Sequence, residues 1–233
     1  MKRNDREFVF EEALRKIDSI LSHAEVIGKQ GSYDPQEAKA AGGAFLDSTV
    51  VVAQFESDTF ADASIENQGI AQHVLLSMID SLVSCQPLLL NYDWDGRQLR
   101  AVFNTTKKPH IDAVLDVAAK TISMTDIINY KIGKVTGITF RINVAIDYGR
   151  LFNIITDEGE DLWSGEILRN TEDLISQAYE KRIVVSRFIY RNLKDDYQHL
   201  FKSVNVFEDG SPYHADIINI GLNNWLKEQK GKK

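Results

Sequence analysis

Two carboxylate side chains follow directly on a strand-like stretch of the sequence. The segment Thr49–Phe55 is rich in β-branched residues and predicts a buried strand, which Glu56 and Asp58 would extend. Alternate residues of a strand point to one face, so both carboxylates would share a face with Gln54. Carboxylate oxygens can bind a divalent cation, but Ser57 or Asp58 can equally cap the helix that follows. The residue types alone leave both interpretations open.

A second group of charged residues lies at a predicted hairpin. Asp95 and Gly96 form a two-residue turn signal between the strand-like runs Leu88–Trp94 and Leu99–Phe103, and Arg97 follows the turn. Asp95 can act as a turn residue alone or as a ligand of a bound group. Arg97 can bind a phosphate, or it can form a surface ion pair with a neighbouring carboxylate.

Three further side chains stand where they could contact a ligand. Arg169 and Asn170 lie in the predicted helix Leu168–Tyr179, where the arginine can face solvent or supply positive charge to an anion. Tyr148 precedes Gly149 at a strand end, and its ring can stack on a ligand or pack the strand, with packing preferred. The histidines are scattered and no phosphate-binding glycine motif occurs, so neither a zinc centre nor a P-loop is predicted.

The elements that must position these residues alternate between strand and helix. The order β-α-β-β-α-β-α-β predicts an α+β fold, a ferredoxin-like palm with an antiparallel-rich sheet and helices. Besides the elements already named, the signals are helices at Ile65–Leu82 and His110–Ile122, and strands at Thr139–Ile146 and Arg182–Ser186. The first helix is expected to bury Ile70, Val74, Met78, Ile79 and Leu82, and the second Ile111, Val114, Leu115 and Ala118.

Composition and punctuation suggest how the chain is organised. The chain has 233 residues, of which 43% are hydrophobic and 26% charged, as in ordinary globular proteins. We expect an N-terminal helical extension over residues 1–44, a core domain over 45–195 and a C-terminal addition with a basic tail over 196–233. A helical stripe from Phe10 to Leu21 indicates the extension.

Charge and cysteine content exclude several classes of function. The net charge of −7 argues against a general nucleic-acid binder, although a local pocket can still be positive. A single cysteine, Cys85, can form neither an intrachain disulfide nor a zinc cluster, which favours a reducing compartment. No secretory signal or membrane-spanning run is visible, so we expect a cytoplasmic protein.

Three segments, taken in order and spacing, resemble the class III nucleotidyl cyclases. They are Ala101–Phe103 with the helix Ile111–Ile122, then Phe140–Gly149, and then Asp161–Leu168 with Asp173, Leu174, Ala178 and Arg182–Ser186. The second segment is similar to the family's arginine-containing strand that ends in Gly-Ile-x-x-Gly, with Ala145 in place of the first glycine. The compact form is most similar to the stand-alone bacterial Pycsar pyrimidine cyclases.

The resemblance implies an enzyme that converts a nucleoside triphosphate into a 3′,5′-cyclic nucleotide and pyrophosphate. Two divalent metal ions, Mn or Mg, would be held by carboxylates from the first strand and from the hairpin. An arginine and an asparagine on a later helix would act across a head-to-tail homodimer. The Pycsar likeness adds anti-phage signalling, in which an effector protein reads the cyclic nucleotide.

Carried onto this sequence, the family's site falls on residues already introduced. The implied sets are Glu56, Asp58 and Asp95 for the metals, Arg169 and Asn170 for catalysis, and Phe55, Arg97 and Tyr148 for the substrate. The simplest alignment instead places Gln54, Arg97, Arg169 and Asp173 at the four catalytic positions. The stretch Leu90–Asp93 has no lysine where purine cyclases use one, which favours UTP or CTP. The alternative is a catalytically degenerate protein that binds a nucleotide or a partner without turnover.

Overall fold

The computed structural model describes residues 43–155, 160–178, 183–204 and 211–231. The predicted N-terminal helix therefore lies outside the described residues, as does most of the tail segment 204–210. The elements are β1 (Ala44–Glu56), α1 (Ile65–Val83), β2 (Leu89–Trp94), β3 (Gln98–Asn104), α2 (Lys108–Thr136), β4 (Arg141–Ile155), β5 (Asp161–Ser164), α3 (Glu166–Ile175), β6 (Ile183–Val185), α4 (Arg187–Asn192), α5 (Asp195–Gln198), β7 (Lys202–Ser203), β8 (Tyr213–Ala215) and α6 (Ile220–Gly231).

The described residues divide into two compact units. The larger contains 47–149 and the described residues from 166 onward, and the smaller contains 43–46 with the described part of 150–165. In the smaller unit, the end of β4 pairs antiparallel with β5, from Phe152 with Ser164 to Ile155 with Asp161.

The larger unit is built on a mixed sheet with strand order β2-β3-β1-β4-β6-β8-β7. The pairs β1–β3, β2–β3, β6–β8 and β7–β8 are antiparallel, whereas β4 and β6 run parallel. The expected α+β palm with an antiparallel-rich sheet is confirmed. The pairing of β6 with β8 carries the sheet past residue 195, and the predicted domain boundaries stay a prediction.

One face of the sheet packs against α1 and α2 to form the core. Side chains of alternate strand positions point into it, including Val51, Phe103, Ile142 and Ile146. On α2 the predicted stripe of Ile111, Val114, Leu115 and Ala118 is buried, as expected. On α1 the buried residues are Ala71, Leu75, Ile79 and Val83.

The prediction for α1 was therefore wrong in register. Ile79 is buried, but Ile70 is 39% exposed, while Val74, Met78 and Leu82 are only partly buried. The sequence between the apolar residues contains Ala71 and Leu75, which fit an equally good helical stripe one position along. Because α1 has apolar residues on two neighbouring faces, its sequence alone does not determine which face is buried.

Helix α2 and strand β4 extend well past their predicted ends. Helix α2 continues to Thr136, and its buried threonines satisfy their hydroxyls within the helix, as in the bonds from Thr121 to the Val117 carbonyl and from Thr125 to the Thr121 carbonyl. It ends at Gly137, whose φ of 73° favours glycine.

Strand β5 was not predicted at all. Among the described residues no helix is both long and apolar enough to cross a membrane.

Candidate functional site

An open pocket of about 380 Å³ lies where β1 ends beside the β2–β3 hairpin. Its apolar wall consists of aromatic rings, namely Phe55, Phe60, Trp94 and Phe140, together with leucines of α1. Its polar wall contains Glu56 from the last position of β1, Asp58 from beyond the strand that it was expected to extend, Arg97 from the hairpin and Arg141 from the start of β4. We call these last four residues the charged cluster.

Glu56 is the centre of the charged cluster. Its Oε1 accepts a hydrogen bond from Nη2 of Arg97 at 2.6 Å and another from Nε2 of Gln54 at 3.0 Å. Its Oε2 lies 3.9 Å from Nη2 of Arg141. The side chain is 36% exposed, against 62% for Arg97, so the carboxylate sits deeper in the pocket wall than its arginine partner. Glu56 is thus neutralised by guanidinium groups.

Arg141 connects the second carboxylate to the cluster. Its Nη2 lies 2.7 Å from Oδ1 of Asp58, whose side chain is largely exposed. Asp58 does not cap the following helix, because the N-cap of α1 is Ser64, whose side chain accepts from the Asn67 N–H. The proposed capping role of Ser57 or Asp58 was therefore wrong.

Backbone pairing places Arg97 opposite the end of β1. Gln54 pairs with Gln98 in the antiparallel ladder, and the Phe55 N–H donates to the Arg97 carbonyl at 3.0 Å. The Arg97 side chain is thereby held over the same edge from which Glu56 projects. Phe55 itself is buried, and its ring lies 5.4 Å from that of Trp94.

Arg141 was overlooked as a site residue in the sequence. It belongs to a segment that resembles the family's arginine-containing strand, and that arginine was the available signal. Asn129 of α2 fixes the adjacent residue, because its Nδ2 donates to the Phe140 carbonyl and its Oδ1 accepts the Phe140 N–H, each at 2.8 Å. The clamp holds the entry into β4, from which Arg141 reaches the pocket.

Replacing Asn129 by aspartate tests this clamp. Aspartate keeps the acceptor for the Phe140 N–H but brings a carboxylate oxygen against the Phe140 carbonyl, so we expect a loss of stability of about 1–3 kcal/mol. Chemical denaturation measures the change. Asn224→Asp, which makes the same replacement at an exposed position of α6, is the control. Equal stability of Asn129→Asp and the wild type would contradict the clamp.

Asp95 is occupied by its own turn. Its Oδ1 accepts the N–H groups of Gln98 at 2.7 Å and Arg97 at 2.9 Å, and Gly96 at the tip has a φ of 95°. These hydrogen bonds, the one from Gln98 first, hold the pKa of the Asp95 carboxyl below its ordinary value. Asp95 does not line the pocket. The turn interpretation accounts for its contacts.

A pH-dependent loss of stability should follow from Asp95→Ala. The folded state lowers the pKa of Asp95, so the carboxylate stabilises the fold at neutral pH and this contribution disappears as the pH falls through the lowered pKa. We expect Asp95→Ala to cost about 1 kcal/mol at neutral pH, with the difference from wild type shrinking in acid. Urea denaturation across the pH range measures both. A difference that grows in acid would contradict the assignment.

Arg169 and Asn170 lie on the exposed side of α3 and do not line the pocket. On the same helix, Glu172 pairs with Arg100 of β3, and the buried side is formed by Ile167, Thr171, Leu174 and Ile175. Arg100 in turn lies 3.5 Å from Asp93 of β2. Within one chain, therefore, the structure does not bring Arg169 and Asn170 to the charged cluster.

Tyr148 stacks on a ring of its own chain. Its ring lies 4.5 Å from that of Phe188, with an angle of 9° between the planes, and it packs against the core. The arrangement agrees with the packing interpretation. Its neighbour Asp147 is partly buried, and this burial raises the pKa of the Asp147 carboxyl.

The carboxylates do not fit a pair of divalent metal ions in the arrangement described. Glu56 and Asp58 are held by arginines whose positive charge opposes a cation, and Asp95 is bound to its turn. Within the described ranges, no group of three or more His, Cys, Asp or Glu side chains could hold a metal. The ligand set Glu56, Asp58 and Asp95 stays a prediction, and no catalytic step is derived through a metal.

Comparisons with known proteins identify the fold. No protein-family model matches the sequence, and no curated protein matches it. The guanylyl cyclase Cya2 is similar with a TM-score of 0.61 and 11% identity over 77% of this chain and 96% of its own. A non-canonical dimeric guanylyl cyclase domain of the RhoGC fusion protein from the aquatic fungus Blastocladiella emersonii is similar with a TM-score of 0.58 and 14% identity over 73% of this chain and 95% of its own.

A third similar structure covers more of the chain. It is a class III adenylyl cyclase-like ATP-binding protein from Pseudomonas aeruginosa, with a TM-score of 0.64 and 13% identity, and the match covers 93% of this chain and 49% of that one. At such identities the likeness shows the fold alone. The chain therefore has the palm fold of class III adenylyl and guanylyl cyclase domains.

Proposed function

We propose that this chain binds a nucleoside triphosphate in the pocket beside the hairpin and that nucleotidyl cyclisation is its reaction. The observation that carries the proposal is an open pocket with two arginines, located at the end of β1 in a cyclase fold. Guanidinium groups bind phosphate oxygens through paired N–H donors. The similar protein from Pseudomonas aeruginosa is described as ATP-binding, which supports a nucleotide as the ligand.

In the proposed reaction the ribose 3′ hydroxyl releases its proton to solvent, its oxygen bonds to the α-phosphorus, and the bond from that phosphorus to the bridging oxygen breaks. Pyrophosphate leaves with the bonding electrons and carries additional negative charge. Arg97 and Arg141 line the pocket and can stabilise that charge. Mn or Mg ions remain part of the family's chemistry, but this proposal assigns them no ligands, given the ion pairs of Glu56 and Asp58.

We further propose that the active form is a head-to-tail homodimer. Arg169 and Asn170 are exposed on α3 and lie outside their own pocket, so a partner subunit is needed to bring them to a bound nucleotide. One of the similar guanylyl cyclase domains is described as a non-canonical dimer, which supports association of two such domains, and the head-to-tail order comes from the family resemblance. In this arrangement the arginine and the amide of one subunit would complete the pocket of the other.

The proposed substrate is a pyrimidine nucleotide, UTP or CTP. Strand β2 carries Leu90-Asn91-Tyr92-Asp93, without the lysine that purine cyclases use there. The proposed biological role is anti-phage signalling in the cytoplasm, with cUMP or cCMP read by an effector protein. This role rests on the resemblance of the sequence to the Pycsar pyrimidine cyclases.

Base preference gives a direct test of the substrate. We expect kcat/KM for UTP or CTP to exceed that for ATP and GTP by at least about tenfold. A pocket fitted to one base discriminates strongly against a base that leaves the buried polar groups of the pocket without hydrogen bonds. Product formation from each labelled nucleotide, in Mn²⁺ or Mg²⁺ buffer, measures the ratio. A preferred purine would overturn the pyrimidine assignment while leaving cyclisation intact.

A second candidate function is nucleotide binding without turnover. The ion pair between Glu56 and Arg97 favours it, because this pair stands where the resemblance implies a metal-bound carboxylate. Such a protein would signal through association with a partner. Binding of a triphosphate with no cyclic product from any nucleotide would identify this function.

A further inference from the structure

We infer that Arg97, with Arg141 beside it, supplies the positive charge that neutralises the bound triphosphate, so that nucleotide binding requires no divalent metal ion. The inference rests on the proposed nucleotide binding and concerns the same pocket. It follows from a disagreement between the charged cluster and the metal site that the resemblance implies. Two guanidinium groups occupy the region where carboxylates alone would gather cations.

Arg97 is held in place through both its backbone and its side chain. Its carbonyl is fixed by the Phe55 N–H, and its guanidinium is fixed by Glu56 at 2.6 Å. The side chain remains 62% exposed. A guanidinium has five N–H donors, and the bond to Glu56 uses Nη2. Arg97 is therefore oriented by one carboxylate and can still present donors to an anion in the pocket.

Arg97 lies in a pocket that also contains aromatic rings and a second arginine. Phe55, Phe60, Trp94 and Phe140 form an apolar wall, and Arg141 is placed on the polar wall by the Asn129 clamp on Phe140. A charge-assisted hydrogen bond gains strength beside apolar surface, because less water competes for the donor. Arginine also binds phosphate in a bidentate manner, which gives the contact geometric specificity.

Glu56 has the opposite effect to a metal ligand in this account. It holds Arg97 in place, but its negative charge repels the phosphates and competes with them for the guanidinium. Removal of that charge should therefore strengthen metal-free nucleotide binding. If Glu56 instead held a metal that bound the phosphates, the same change would weaken binding in Mn²⁺.

The test is calorimetric titration of the full chain with UTP and CTP, in excess EDTA and again in Mn²⁺. We expect binding in EDTA, and we expect Arg97→Met to weaken it by at least about tenfold. Arg97→Lys should retain part of the affinity. Arg191→Met, which removes an exposed arginine of α4 far along the sequence from the cluster, should bind like the wild type. Glu56→Gln should bind more tightly in EDTA.

Three outcomes would overturn the inference. Binding that appears only with Mn²⁺ would assign the charge to a metal and leave the proposed nucleotide function standing. Equal affinity of Arg97→Met and the wild type would remove Arg97 from the site. If UTP and CTP bind in neither buffer, ATP and GTP are titrated as well, and absence of binding by all four nucleotides would overturn the proposed function. Because Arg97 is largely exposed, its variants should fold, and circular dichroism checks this for each protein.

Discussion

Replacing Arg169 by alanine is expected to lower the rate of cyclic-nucleotide formation by at least about 100-fold, because it removes a cation proposed to stabilise charge in the transition state. The change should leave the free energy of unfolding nearly unchanged, since Arg169 lies on the exposed side of α3. Product formation and thermal unfolding measure the two effects. Arg191→Ala is the matched control, because it also removes an exposed arginine from a helix.

Mixing two variants that damage different halves of the site tests whether Arg169 acts across a dimer, at a nucleotide concentration low enough that the weak binding of Arg97→Met leaves it nearly inactive. Arg169→Ala and Arg97→Met would each lack one half of every site. Random pairing makes half of the dimers mixed, and each mixed dimer holds one intact site, so activity should recover to about a quarter of wild type. If the mixture stays as inactive as its components although the subunits exchange, Arg169 does not act in the partner's pocket.

Replacing Ile146 by alanine is expected to lower the free energy of unfolding by about 2–5 kcal/mol. Ile146 is 1% exposed and lies on β4 between β1 and β6, so its truncation removes apolar contacts and leaves a cavity in the core. Ile65→Ala is the control, because Ile65 is 88% exposed at the start of α1 and should change stability by less than about 0.5 kcal/mol.

Urea denaturation of both isoleucine variants gives the comparison. The expected result is a clear fall of the midpoint for Ile146→Ala alone. Similar midpoints for the two variants would show that the sheet face assigned to Ile146 is not part of the main core. The loss for Ile146→Ala should appear whether or not a nucleotide is present, which separates it from effects on the pocket.

The parts of the fold that sequence predicts well are those where local pattern and tertiary packing agree. The turn at Asp95 and Gly96 fixes the hairpin because few residues accept the φ of 95° found at its tip. The stripe predicted on α2 is correct, and α2 also buries the neighbouring Val117 and Ala119. On α1 the apolar residues span more than one face, so only contact with the sheet decides that Ala71 and Leu75 are buried.

The candidate site was predictable in its location but not in its contacts. Strand parity indicates that Gln54 and Glu56 share a face, and the hydrogen bond between their side chains agrees with this. The partners of Glu56 could not be predicted from the sequence. Arg97 and Arg141 are distant from Glu56 along the chain, and the fold alone brings each of them to its carboxylate. A carboxylate beside two arginines has a different chemistry from a carboxylate beside another carboxylate.

The formation of a cyclic nucleotide by the purified protein decides whether this chain catalyses nucleotidyl cyclisation. The purified full chain is incubated with each of the four nucleoside triphosphates in Mn²⁺ buffer, and products are separated and identified by mass. We expect a 3′,5′-cyclic pyrimidine nucleotide and an equal amount of pyrophosphate. Both products should be absent when the Arg169→Ala variant is used. A folded, dimeric protein that yields no cyclic product from any of the four nucleotides would contradict it.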